Sequence, residues 1–325
     1  MNEFLLLKDI ANRTDPSGKV PAVVDLMMQE CSMFEDMPYV TGNLEAGHKI
    51  IQVVDKPRGT YTGFNQGTDN EKSAHRQITF GTGSLTGRAE IDDKIMRNFT
   101  NAPEAFVQQC TETIQGLTQT TQNTLIYGET SEDPNSFDGF NHFYGKPKDP
   151  LYGKQLFNGG GTGFDNTSIY FVGWGPQTVF GITPKNSKAG IQLFDRGITE
   201  VNDENGKPYF AHVRTFELNL GLCIRDPRFV SVLHNVSLAK LMANPTELIK
   251  QMTYAMGLAR TGFGSKMKIY VAREMHAHLQ VAAQEKQNVN LTATNVEGQP
   301  VISFNGAPIR TLDALTFNNE AISWI

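Results

Sequence analysis

The stretch that decides the fold begins with Thr167-Ser-Ile-Tyr-Phe-Val-Gly-Trp-Gly175 and continues to Phe229. Its first segment is rich in β-branched and aromatic residues, which favour strands, and the glycines and proline of 173–176 interrupt it. Further along, apolar and polar side chains alternate from Phe216 to Arg225. Because successive side chains of a strand point to opposite faces, this alternation predicts a strand with one buried face.

A long amphipathic helix is predicted before these strands, with Asn101 as its N-cap and Gly128 closing it in a left-handed conformation. Apolar side chains recur at three- and four-residue spacing along one stripe: Phe106, Cys110, Ile114, Leu117 and Leu125, with Thr121 on the same line. Polar side chains occupy the opposite face: Gln108, Glu112, Gln115, Gln119 and Gln122. The helix is therefore expected to cover a sheet with one face only.

The C-terminal part of the chain predicts a compact unit of helices and strands. Asn244-Pro-Thr-Glu247 has the spacing of a capping box and opens an amphipathic helix. Lys268–Val271 favours a strand, and the segment from Arg273 to about Lys286 a helix. A hairpin around Asn305-Gly306 follows, since this dipeptide suits a tight turn between strands.

The region from Thr41 to Ile91 differs from the rest because it is rich in glycine and poor in large apolar residues. Three extended pieces are predicted in it, at Lys49–Val54, Thr60–Thr62 and Gln77–Phe80. Such a stretch cannot bury enough apolar surface to be stable alone. In a monomeric enzyme such a stretch would be an unusual insertion, whereas in a protein that assembles from many copies it would suit a long two-stranded loop lying across a neighbouring subunit.

Residues 1–38 are predicted to form a thin N-terminal arm. A helical pattern runs from Pro21 to Phe34, and Pro38 ends it. At 325 residues the chain has room for about two domains, at roughly 150 residues per domain.

Composition excludes several classes of function. With 29 basic and 34 acidic residues, the formal charge of -5 lacks the excess of cations that strong sequence-independent nucleic-acid binding requires. Three widely spaced cysteines, Cys31, Cys110 and Cys223, predict buried thiols rather than a disulfide framework or a metal pair. No apolar stretch approaches the ~20 residues of a membrane span.

Two motifs resemble a metal site and a phosphate-binding loop, but the residue pattern supports neither site. His276-x-His278 follows Glu274, but residues two apart on a helix point about 200° away from each other, so both imidazoles cannot face one metal ion. The glycine run 159–163 precedes a strand and lacks the Gly-Lys-Ser/Thr ending of a phosphate loop. We expect no catalytic residues, cofactor or metal site.

Several segments, in this order along the chain, resemble major capsid proteins of tailed bacteriophages. They are Gly42–His48, Leu125–Pro134 with Phe137–Phe140, the stretch Thr167–Gly175, Ile182–Gln192, Leu220–Asp226, Asn288–Thr292 and Phe304–Arg310 with Asp313-Ala314. The chain departs from the family pattern at Pro227, where an aromatic residue is expected.

This resemblance implies the α+β Hong Kong-type capsid fold. Its parts would be an N-terminal arm (1–38), an extension loop (39–91), a peripheral domain with the spine helix and long strands (92–235), and an axial domain with the closing hairpin (236–325). The subunits would form hexamers and pentamers that close into an icosahedral shell around double-stranded DNA. The protein would be assembled in the host cytoplasm and become part of the virion.

The resemblance also implies partners. These are other copies of the chain, a portal protein, a scaffolding protein, a decoration or cement protein, and packaged double-stranded DNA enclosed without sequence-specific binding; no membrane is involved. No long domain precedes the arm in this sequence, so a separate scaffolding protein, or proteolytic removal of such a domain, is expected.

Six residues are predicted to contact neighbouring subunits. Phe34 and Tyr39 belong to the arm or its end, Arg58, Tyr61 and Phe64 to the loop, and Arg97 to the approach to the spine helix.

Two alternatives remain open at this stage. One is an encapsulin-like compartment with the same fold and a protein cargo. The other is a soluble sugar- or metal-dependent hydrolase in which Tyr170, Phe171 and Trp174 line a pocket.

Overall fold

The computed structural model describes residues 31–98, 102–187, 189–202, 206–243, 245–284, 291–296 and 299–324. Its helices are α1 (Ser32–Asp36), α2 (Asp93–Asn98), α3 (Ala102–Tyr127), α4 (Phe140–Tyr144), α5 (Leu238–Ala243), α6 (Pro245–Leu258) and α7 (Arg273–Gln284). Short 3-10 turns occupy Gly153–Gln155 and Pro227–Phe229.

Fourteen strands are formed within these residues. They are β1 (Tyr39–Thr41), β2 (Gly47–Asp55), β3 (Ala74–Gly81), β4 (Gly83–Asp92), β5 (Leu156–Asn158), β6 (Asn166–Trp174), β7 (Val179–Thr183), β8 (Ile191–Asn202), β9 (Pro208–Ile224), β10 (Val230–Ser237), β11 (Lys266–Val271), β12 (Leu291–Val296), β13 (Gln299–Phe304) and β14 (Ala307–Thr311).

Twelve of the strands form one mixed sheet, and β2 and β3 form a separate pair. The main path runs β12-β13-β14-β11-β6-β7-β9-β4, with β1 on β7, β8 on β9, and β10 on β6 and β5. Every residue of β10 is buried, and only Ser168 of β6 is partly exposed. The centre of the core therefore lies where the apolar 167–175 stretch was predicted to form a strand.

A long arm of three strands extends from this centre. Strand β9 is paired with β4 on one side and β8 on the other. Side chains of β9 alternate between buried and partly exposed from Phe216 to Leu220, which confirms the predicted one-sided burial for this part of the strand. From Leu220 to Ile224 every residue is buried, so the alternation predicted as far as Arg225 is wrong for the end of the strand.

Helix α3 packs on this arm through the predicted stripe, whose members are all buried. The contact is close, because a Cβ on Gly87 of β4 would lie 2.8 Å from the Thr113 Cγ2 atom. The guanidinium of Arg214 lies 5.1 Å from the centroid of the Phe106 ring, at the distance of a cation–π contact.

Two predictions about this helix are wrong. Gln122 is 4% exposed instead of facing solvent. Gly128 has no positive φ; its amide donates to the Thr124 carbonyl at 2.8 Å, and its carbonyl accepts from the Gly139 amide at 2.8 Å. A Cβ at Gly128 would lie 2.4 Å from the Phe137 carbonyl oxygen, so glycine is needed there for close backbone approach.

The C-terminal unit follows the sequence prediction. Helices α6 and α7 form, and Asn305 (φ 48°) and Gly306 (φ 81°) make the turn between β13 and β14. Asn101 and Asn244, the predicted N-caps, lie outside the described residues, as does the arm before Cys31. The domain boundaries remain predictions.

Pro227 explains how β9 ends. The strand stops at Ile224, and the Asp226 side chain accepts a hydrogen bond from the Arg228 amide to begin a 3-10 turn. The chain then continues into β10 in the same direction, because β9 and β10 each run antiparallel to the mutually parallel strands β7 and β6. The departure from the family pattern at Pro227 thus falls in a turn rather than in a strand.

A buried carboxylate fixes α1 to the C-terminal unit. Asp36, with its side chain 4% exposed, pairs through Oδ1 with the Lys268 ammonium at 2.9 Å. The Tyr270 hydroxyl donates to Asp36 Oδ2 at 2.9 Å and accepts from the Trp174 indole N–H at 2.7 Å. Three elements, α1, β11 and β6, are therefore joined through one charge.

We expect Asp36→Asn to lower the free energy of unfolding by about 3 kcal/mol, because it leaves the shielded Lys268 ammonium without its counter-charge. The matched control is Glu35→Gln: Glu35 is half exposed and pairs with Arg310 at 3.1 Å, so its loss should cost under about 1 kcal/mol. Urea unfolding of both variants measures the difference. Equal losses of unfolding free energy in the two variants would show that the Asp36 charge does not hold α1 in place.

A second buried polar group lies at the centre of the sheet. His234, 0% exposed, uses both ring nitrogens: Nε2 donates to the Tyr144 carbonyl at 2.8 Å, and Nδ1 accepts from the Ser168 hydroxyl at 2.7 Å. Burial lowers the pKa of His234 from 6.5 to about 4, against a smaller opposing effect of the Tyr144 carbonyl. The imidazole is therefore neutral at pH 7.

This shift makes the fold sensitive to acid. Since the unfolded histidine takes up its proton at a higher pH than the folded one, its contribution to stability is complete above pH 6.5 and is lost as the pH falls towards 4. The full loss is about 3 kcal/mol. His234→Gln, whose side chain has a donor NH₂ group and an acceptor oxygen but does not titrate, should unfold with a flatter pH dependence in this window. Parallel pH profiles of the variant and the native chain would contradict this assignment.

Candidate intersubunit surface

The β2–β3 hairpin is anchored to the rest of the subunit at its base only. Ile50 and Phe80 are buried there, and the His48 ring packs edge-on against Phe180 with centroids 5.6 Å apart. The side-chain amide of Gln52 donates to the Arg225 carbonyl at 3.0 Å. These contacts hold the strands where β9 ends.

On the face of β2 opposite Ile50 and Gln52, the hairpin exposes apolar side chains. Ile51 is 64% and Val53 50% exposed, although both lie in a strand. Within the part of the chain that the structure describes, the outer edges of β2 and β3 have no strand partner. Unpaired edges with apolar side chains are surfaces on which another chain can pack or pair.

The tip of the hairpin, residues 56–73, is shaped by a carboxylate. Glu71 accepts hydrogen bonds from the backbone amides of Arg58 and Gly59. The predicted strand at Thr60–Thr62 is absent, because these residues lie in this connection and have no ladder partner. Tyr61 and Phe64, 106% and 103% exposed, project from it without covering any apolar surface of their own chain.

The six residues predicted to contact neighbouring subunits lie in different places and differ in exposure. Arg58, Tyr61 and Phe64 lie together on the exposed tip. Arg97, with 71% of its side chain exposed, pairs with Asp93 one helical turn earlier.

The two predicted contact residues from the N-terminal arm and its end pack against their own chain. Phe34 is 3% exposed and belongs to the core, so it offers no free surface in this conformation. Tyr39 is partly buried in β1, opposite Gly181, and burial raises its pKa.

Sequence reasoning missed a second apolar surface, at the far end of the three-stranded arm. Ile198 is 55% and Phe210 59% exposed. Ile198 stands opposite His212 in the ladder, and Phe210 precedes His212 by two residues, so both side chains lie on one face. The sequence did contain one sign of this surface, because the segment 191–202 carries apolar residues among its charged ones. Its pairing with the strand that contains Phe210 is visible only in the fold.

The aromatic side chains of the hydrolase alternative and the three cysteines are buried. Tyr170, Phe171 and Trp174 are at most 2% exposed and belong to the core, so the three rings do not line the open pocket that the hydrolase alternative requires. Over the described ranges, no group of three or more His, Cys, Asp or Glu side chains could hold a metal ion. The three cysteines are free and buried, as expected, and burial raises the pKa of each thiol.

No helix in the described part of the chain has the length and apolar character needed to cross a bilayer.

A comparison with family models gives one match that spans nearly the whole chain. The family described as "Major capsid protein GP7" matches residues 15–323. No curated protein matches the sequence.

Solved structures share the fold at low identity. A chain from the structure of bacteriophage Epsilon15 aligns with a TM-score of 0.70 and 24% identity, covering 100% of this chain and 99% of that one. The capsid of bacteriophage JBD30 aligns with a TM-score of 0.52 and 10% identity, covering 87% and 91%. The predicted α+β capsid fold is confirmed.

An encapsulin from Synechococcus elongatus aligns with a TM-score of only 0.44 and 12% identity, covering 71% of this chain and 94% of that one. This weak likeness does not support the compartment alternative.

Proposed function

Because this chain belongs to the major capsid protein GP7 family, we propose that its copies assemble as hexamers and pentamers into the icosahedral head of a tailed phage. The protein is a structural component of the virion. The observation that carries the proposal is the family match over residues 15–323, and the exposed β2–β3 hairpin gives it a physical means of assembly.

The hairpin is proposed to lie across a neighbouring copy. A two-stranded sheet is marginal in water, and this one exposes apolar side chains in its strands and aromatic side chains at its tip. Covering Tyr61 and Phe64 would each contribute about 1.5–3 kcal/mol. Contact with another subunit therefore provides the burial that the chain itself does not.

The contact is proposed to join two different surfaces. The tip of one copy would pack on the body of the next, and such head-to-tail contacts close into rings when the rotation permits. The apolar end of the three-stranded arm, with Ile198 and Phe210, supplies a further surface for neighbours at the rim of the ring. Many modest contacts then act together in a closed shell.

The remaining partners belong to the same proposal. A portal protein and a scaffolding protein would direct assembly in the host cytoplasm, a decoration or cement protein would bind the finished head, and double-stranded DNA would fill it without sequence-specific contacts. A role for Arg58 at the tip is included, whereas the buried Phe34 is left out of the contact surface.

We expect the double variant Tyr61→Ser/Phe64→Ser to fold with unchanged thermal stability and to assemble poorly. Both side chains are fully exposed in the single subunit, so their loss affects contacts between copies only. The concentration needed for assembly should rise at least about tenfold, which corresponds to ~1.4 kcal/mol. Sedimentation velocity and electron microscopy measure the shells, with the scaffolding protein added if the native chain requires it.

The matched control is Phe164→Ser, which removes an aromatic ring that is 74% exposed and lies outside the hairpin. It should assemble like the native chain. Normal assembly by the double variant would exclude the tip as a contact surface.

A further inference from the structure

A group of cations lies at the base of the hairpin, although the chain as a whole is acidic. We define the basic face as Arg76, Arg225, Arg260, Lys146, Lys148 and Lys154, all of which are exposed. They come from four separate segments: β3, the end of β9, the end of α6, and the loop after α4. The sequence scatters them over almost two hundred positions, so the overall charge of -5 gives no sign of them.

Backbone contacts bring these segments together. Arg76 stands opposite Gln52 in the β2–β3 ladder, and the Gln52 side chain donates to the Arg225 carbonyl at 3.0 Å. The amide of Arg260 donates to the Arg228 carbonyl at 2.7 Å, three residues from Arg225. These bonds place three of the arginines around the end of β9.

The lysines lie on the adjoining loop. The Tyr144 hydroxyl, at the end of α4, donates to the Pro227 carbonyl at 2.9 Å, which holds the start of this loop against the same turn. The loop then carries Lys146, Lys148 and Lys154 along the surface.

The nearby carboxylates have partners other than these six cations. Asp226 is occupied by Arg228, with Oδ2 2.6 Å from its guanidinium. The Asp149 Oδ1 atom accepts from the amides of Leu151 and Tyr152 at 2.8 and 2.9 Å. Among the described residues, none of the six cations forms an ion pair within 4.0 Å.

Neighbouring titratable groups respond to the positive charge. After burial, the largest influence on the pKa of His48 and of Cys223 is Arg225, which lowers both. Arg76 opposes the rise in the pKa of Tyr152 that burial causes, and Arg260 contributes to the lowered pKa of Asp226. Arg76, Arg225 and Arg260 thus each lower the pKa of a titratable group around the end of β9.

We propose that the basic face binds the phosphate backbone of double-stranded DNA and is therefore turned towards the packaged genome. Six exposed cations without acidic partners, drawn from segments that the fold brings together, suit a repeating array of phosphates better than one small anion. Contacts to phosphate carry no sequence information, so the proposed contact is independent of sequence. This inference rests on the proposed enclosure of DNA.

The experiment compares two double variants with equal loss of charge. Arg225→Gln/Lys148→Gln removes cations from the basic face, and Lys94→Gln/Arg196→Gln removes exposed cations from the far end of the three-stranded arm. Binding of a mixed-sequence DNA duplex to the purified full chain is followed by fluorescence anisotropy over a range of salt concentrations. For the basic-face variant, the slope of log K against log salt should fall by about 2 in magnitude; the control should keep the native slope.

Equal slopes for both variants, or no binding by the native chain, would overturn the proposal. Tighter salt-dependent binding of polyglutamate than of DNA would also overturn it and would assign the face to an acidic protein partner. Electron microscopy of shells formed by both variants separates this outcome from a failure of the capsid function: normal shells with unchanged DNA binding refute the basic face alone.

Discussion

The structure depends on one constraint: the apolar side chains of the subunit are concentrated in the central sheet, and little remains for the hairpin that projects from it. Strands β6 and β10 are buried almost completely, whereas β2 and β3 bury side chains only where they meet the end of β9. A hairpin of this kind gains the stabilising contacts that it lacks by packing on another chain. Under the proposed function, this division between a self-sufficient centre and an incomplete extension allows the subunit to act as an assembly unit.

The buried centre also positions the surfaces that we propose for assembly. The end of β9 anchors the hairpin through Gln52 and leads into the Asp226–Pro227 turn, next to which the cations of the basic face gather. At the opposite end of the same strand lies the apolar surface of Ile198 and Phe210. Strand β9 therefore connects the hairpin base, the basic face and the far end of the arm, while Asp36 and His234 secure the elements packed around the centre.

Much of this fold is predictable from local sequence patterns. The strand of 167–175, the stripe on α3 and the Asn305-Gly306 turn each follow from residue type and spacing. Errors arise where tertiary packing determines which residue is needed. At Gly128, glycine is required because the Phe137 carbonyl approaches closely, and not because the chain makes a left-handed turn. The exposed tip was predictable because it is poor in apolar residues. The basic face was not, since its members are distant in sequence and the net charge is negative.

The most direct test of this account is a cryo-electron microscopy reconstruction of the particles that the full chain forms, with the contacts of residues 56–73 resolved. The account predicts closed shells in which Tyr61 and Phe64 of each copy are buried against a neighbouring copy. Shells in which the tip projects into solvent without touching another chain, or a protein that stays monomeric with every assembly partner supplied, would contradict it.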